Sequence, residues 1–318
     1  TLFGGDVTNP SGTGRFIADA WFSDEPLPVA YAHPSAAAVR ASGGVSGGAP
    51  DRAAIDAYLA AIDVPAAIAG IAEGAREAGG LRGRYLEGLS VSCAVMWDLA
   101  LELLGRGDPV PYARAVVASC GVPPSPSEPQ AKRERVAALL ESAGYGGDLQ
   151  GAVANWRRDR LVPRKSIPAL ARAFIAELDA ATAVHLLPHL PPALHAVPRA
   201  NVTFLPIENA WFSGSMNYLG RARRADGSPE FEATYELNAA LEISIPEFVQ
   251  LVAHEVVPGH VTTFAYLQHL YCTGAAGFEA SVPTMNTRAA TLSVGIANNE
   301  IMIAHGVTEI AELGDPDL

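Results

Sequence analysis

His254, Glu255 and His260 lie in one short string, Leu251-Val252-Ala253-His254-Glu255-Val256-Val257-Pro258-Gly259-His260. Neutral imidazole nitrogens bind zinc in a roughly tetrahedral shell, and a catalytic site leaves one position open for water. The metal lowers the pKa of that water to about 7, and a neighbouring glutamate takes its proton. Adjacent side chains on a helix diverge by about 100°, so Glu255 falls to the role of base and not of ligand beside His254.

The spacing is unusual. On the common zinc-binding helix the second histidine stands four residues after the first, on the same face. Here that position is Pro258, and His260 comes six residues on. Six residues of straight helix rotate by about 240°, which would turn the two rings apart. The helix must open at Val257-Pro258-Gly259. Proline disfavours helical geometry at the residue before it, and Gly259 can take positive φ. The sequence thus predicts that His254 and His260 converge across a break.

The elements that position these residues follow from pattern and caps. From Pro50 to about Asp179 the chain reads as helical and is rich in alanine, the best helix former. Asp51 caps the first helix, and further helices run roughly over 85–104, 112–119, 129–142 and 167–181. Residues 1–50 are rich in Gly, Pro and Ser, and 42–48 read as a flexible loop. A proline-rich connector over 186–198 stops any helix and suggests a subdomain boundary. The expected division is a helical subdomain over 1–185 and a second over 200–318 that carries the histidine string. In the second, 201–207 and 233–238 read as strands, and a helix starts near Pro246-Glu247.

The segment Tyr235-Glu236-Leu237-Asn238, then Pro246, then Leu251 to His260, resembles a bacterial family called domain of unknown function 885, which is grouped with gluzincin-type metallopeptidases. That family shows an aromatic-x-Leu-Asn strand followed by His-Glu-x-x-Pro-Gly-His. The resemblance covers about 201–305. It implies a mainly α, gluzincin-like fold with a small sheet beside the metal-binding helix. It also implies zinc on His254 and His260, Glu255 as general base, and a peptide laid along the strand 235–238 as an added strand. The family's third ligand is a glutamate in a Glu-Gly string, and the matching position here is Val294, before Gly295. A valine cannot bind metal. Two readings follow: a zinc-dependent peptide hydrolase, or a metal-free relative that binds peptides or acts as a scaffold.

Other groups near Val294 and His260 could supply a ligand. Glu300 lies six residues past Val294, about 240° round a straight helix, and His305 lies eleven past it, about 16 Å along. Glu279 follows His260 by nineteen residues but sits in a different setting. Tyr235, Asn238, Tyr218 and Arg288 are candidate substrate contacts, Arg288 for a carboxylate. The histidines at 185, 189 and 195 are scattered by prolines, Gly88 to Ser92 misses a nucleophile elbow by its last residue, and Arg221, Arg223 and Arg224 read as a solvated turn.

Composition bounds the rest. Apolar residues are 49% and charged residues 18% of 318, so the chain is globular. A net charge of −12 argues against nucleic acid as a partner. Three distant cysteines form neither a disulfide framework nor a metal motif. No uninterrupted membrane-spanning run and no leader are legible, so a cytoplasmic location is the expectation.

Overall fold

The computed structural model describes residues 51–208, 213–238, 240–281 and 284–314. The glycine-rich segment 42–48 lies outside them. Among the described residues helix accounts for 62% and strand for 8%, so they are mainly α with one small sheet.

The helices are α1 (Arg52–Ile62), α2 (Val64–Ala78), α3 (Gly80–Leu103), α4 (Tyr112–Cys120), α5 (Pro129–Ser142), α6 (Leu149–Arg158) and α7 (Ile167–His185). Then come β1 (Val202–Ile207), β2 (Gly214–Tyr218), β3 (Ala233–Asn238), α8 (Ile245–Glu255), α9 (His260–Cys272), α10 (Arg288–Ala297) and α11 (Glu300–His305). Asp51 caps α1 as expected, accepting from the Ala53 and Ala54 N–H groups. Asp63, at φ 38°, ends α1 and caps α2. Arg52–Ala78 is nonetheless long and apolar enough to cross a membrane by length and composition; its most apolar 18-residue window has a mean hydropathy of 1.6 and is unburied. The sequence reading expected no such stretch.

The chain forms two compact units that differ from the expected division. Of the described residues, the first combines those of 51–124 with those of 277–294, and the second combines those of 125–276 with those of 295–314. The proline-rich connector therefore lies inside the second unit. The reason is packing: α7, which precedes the connector, packs on α8 and α11, which follow it.

In the first unit α2 and α3 pack closely. A Cβ on Gly83 would stand 2.6 Å from the Ala75 carbonyl oxygen. Ser92 Oγ donates to the Ala118 carbonyl at 2.7 Å, which ties α3 to α4, and Gly88 to Ser92 is helix and no elbow. Thr291 Oγ donates to the Ser119 carbonyl at 2.7 Å and ties α10 to the end of α4.

In the second unit the sheet order is β1-β3-β2. β1 runs parallel to β3, with Phe204 opposite Tyr235, and β2 runs antiparallel to it, with Met216 opposite Tyr235. The expectation that 235–238 is an edge strand is therefore corrected. Its backbone groups are taken on both sides, and the edges are β1 and β2. Helix α8 begins with a capping box, in which the Ser244 side chain and the Glu247 side chain each serve the other's backbone. One face of α8, with Phe248, Val249, Val252 and Ala253, is buried. Phe248 meets Phe174 of α7 edge to face at 5.5 Å.

Candidate metal and base centre

Helix α8 ends at Glu255 and α9 begins at His260, so both histidines sit at a corner between two helices. The Val257–Pro258 peptide in that corner is cis. Proline supplies the break, and glycine supplies the space. A Cβ on residue 259 would lie 1.9 Å from the His254 carbonyl oxygen and 2.3 Å from that of Ala253. Gly259 itself has φ −67°, so the expected positive φ is not what it contributes. Its role is close approach of two backbones. Thr262 locks the turn, donating from Oγ to the carbonyls of Val256 at 3.1 Å and Arg199 at 2.9 Å.

The corner brings the His254 and His260 rings to 4.8 Å between centroids, at 87° to each other. Two imidazoles sharing one tetrahedral metal through bonds of about 2.1 Å would have centroids roughly 5 Å apart. Burial, and then the neighbouring His254, push the His260 imidazole down to about 4. Burial also lowers His254, opposed by a hydrogen bond with the Asn298 side chain. Both rings are thus held neutral near pH 7, the form that binds metal. Glu255 sits apart from them in role: burial raises its carboxyl to about 7, opposed by a hydrogen bond from the Met216 N–H. A carboxyl poised there suits a general base.

The third ligand is another matter. Among the described residues, no three His, Cys, Asp or Glu side chains are placed to hold one metal ion. The donors fit half of a catalytic zinc shell. Val294 lies on α10 and is 40% exposed. Glu279 is taken by Arg82, whose Nε and Nη2 donate to its two oxygens at 2.8 and 3.0 Å. Glu300 corrects a geometric assumption. The helix breaks at Asn298-Asn299, so neither Glu300 nor His305 continues the helix of Val294. Glu300 is 1% exposed, its Oε2 has no hydrogen-bond partner among the described residues, and burial raises its carboxyl to about 8.

The remaining candidates divide. Tyr235 is fully buried, and the charge of Glu255 acts on it. Asn238 is buried, and its Oδ1 accepts from the Ala240 N–H to form a turn. Tyr218 lies on β2. Its ring stacks on Phe264 at 5.5 Å and its hydroxyl donates to Gln268, which makes it a core side chain and corrects its placement as a substrate contact. Arg288 belongs to the first unit, where its stem passes the bare α-carbons of Gly88 and Gly121. His195 bonds the Leu190 carbonyl, and Arg223 bonds the carbonyls of Gly220 and Ala222 within its turn. Cys93, Cys120 and Cys272 are joined by no disulfide. Sequence reasoning missed β2, which carries Met216, and missed the burial of Glu300. The alternation of Met216 and Tyr218 was the available signal for the strand.

Comparison with protein-family models, with curated proteins and with solved structures finds no match.

Three outcomes follow from this geometry. Gly259→Ala should cost on the order of 3 kcal/mol or prevent folding, because the new methyl collides with fixed backbone. Gly295→Ala, where a Cβ meets nothing within 4 Å, should be neutral or stabilising in thermal melts. Glu300 has a raised folded pKa, so its stabilisation is present below about 4.5 and is lost as pH rises towards about 8. Glu300→Gln should lessen the downward slope in denaturant unfolding measured from pH 5 to pH 8, leaving the share that the raised Glu255 carboxyl contributes.

Proposed function

We propose that this chain is a zincin-like protein directed at peptides, with His254 and His260 as metal ligands and Glu255 as the general base. The observation that carries the reading is the 4.8 Å approach of the two rings across a six-residue spacing. The gluzincin-type fold and the family resemblance belong to the same proposal. When bound, zinc supplies Lewis acidity to a water or carbonyl oxygen. The chain's own residues do the rest. The two imidazoles orient the metal, and Glu255 accepts a proton from water and returns it to the leaving amine.

The peptide would lie along β2 and not β3. Asn238 N donates to Ser213 O, and Leu219 N to Glu232 O. Hydrogen-bonded rungs alternate in an antiparallel pair, so Ser215 and Asn217 bond β3, while Gly214 and Met216 turn their backbone groups away from it. With the Met216 N–H taken by the Glu255 carboxyl, the Gly214 backbone groups and the Met216 carbonyl are what an extended peptide adds to. A second reading is favoured by the missing third ligand: a peptide-binding protein that works without metal.

Zinc titration under chelator competition separates the two. The unaltered chain should bind about one zinc weakly, and Val294→Glu should tighten it on the order of a hundredfold, about 2.7 kcal/mol. In the tightened form Glu255→Gln should keep the metal and lose peptide turnover. Loss of the metal together with turnover would remove Glu255 from the role of base. Tight stoichiometric zinc in the unaltered chain would mean that another group completes the shell.

A further inference from the structure

Helices α3 and α4 run antiparallel, and their contacts come in order along the pair. Arg114 pairs with Asp98, Ser92 bonds the Ala118 carbonyl, and Gly88 and Gly121 both lie against the Arg288 side chain. Between these points lies a groove of about 540 Å³, lined by Val91, Ala94, Val95, Ala113, Val117 and Ala118. Its walls are apolar, and Val91 is 39% exposed to water. Arg288 stands at the glycine end. A Cβ on Gly121 would lie 3.4 Å from its Cδ, and one on Gly88 would lie 3.8 Å from its Nη1. The stem therefore passes the end of α4 and the guanidinium ends over α3, one turn from Val91 on the same face. Among the described residues, no hydrogen bond meets the buried Nε, and the ion pairs leave Arg288 out. A buried donor without an acceptor is costly, and apolar walls gain from leaving water. An arginine fork matches a carboxylate through two parallel hydrogen bonds.

We propose that this groove binds a medium-chain fatty acid, with its carboxylate on the Arg288 guanidinium and its alkyl chain along Val91, Val95 and Val117. Gly88 to Val95 spans about 10 Å of helix, the reach of an extended octanoate chain. Arg114, at the far end, is already paired with Asp98, so the acid is directed to Arg288. The site lies wholly within the first unit and does not depend on the reading of the metal corner.

The test is isothermal titration of the full chain with octanoate, octanol and acetate. Octanoate should bind at one site per chain. Octanol keeps the tail without the charge and acetate keeps the charge without the tail, so each should bind about tenfold more weakly or worse. Arg288→Gln should weaken octanoate about tenfold and leave octanol unchanged, because the fork is lost and the walls are not. Val91→Glu changes an exposed helix position, so it serves even if Arg288→Gln does not fold. It puts a carboxylate into the apolar wall and should weaken octanoate and octanol alike. Octanoate that gives no saturable heat, or binds at many sites, overturns the proposal. So does octanoate binding that Val91→Glu leaves unchanged, or octanol bound as tightly as octanoate.

Discussion

The carbonyl oxygens of Ala253 and His254 leave no room for any side chain at residue 259, and the rest of the site hangs on that contact. Without it α8 would run on, and the second histidine would rotate away from the first. Proline at 258 ends the hydrogen-bond ladder, but ending a helix does not aim the next one. The direction of α9 is set by how closely its first turn can fold back on the end of α8. Thr262 then fixes the angle by bonding carbonyls from both the corner and the segment before β1.

Burial does the electrostatic work once the corner is made. The histidines and Glu255 lie beneath a sheet whose inner face holds Met216, Tyr218, Tyr235 and Leu237. Removing water disfavours charge on every one of these groups, so imidazoles go down and carboxyls go up. The same desolvation thus leaves two neutral imidazoles close in the chain to a carboxyl that titrates near neutrality. The ion pairs that the second unit does contain, such as Arg157 with Glu247 and Arg199 with Asp179, tie the start of α8 and the end of α7 in place at its periphery.

Much of this was legible in the sequence, for local reasons. Asp51 and the Ser244–Glu247 region announce helix starts, and a proline four residues after a histidine announces a break. Convergence of His254 and His260 followed from demanding that the break be useful. What failed was non-local. Strand order cannot be read from one strand's composition, so β3 was taken for an edge although β1 and β2 flank it. Gly214, Ser215 and Asn217 hid β2 as a loop, because its apolar residues are only every second one. Glu279 meets an arginine 197 residues away, a partner no spacing rule finds. Glu300 was placed by extending a straight helix through Asn298-Asn299, two residues of modest helix propensity at which the helix stops.

The most direct test of the account is X-ray absorption at the zinc edge, on the full chain loaded with less than one equivalent of zinc. The corner predicts two imidazole nitrogens at about 2.0–2.1 Å, with water oxygens in the remaining positions and no sulfur. Replacing His260 by alanine should remove one imidazole from the spectrum. A spectrum with no imidazole scattering, or one unchanged by that replacement, would contradict a metal site built by the Gly259 corner.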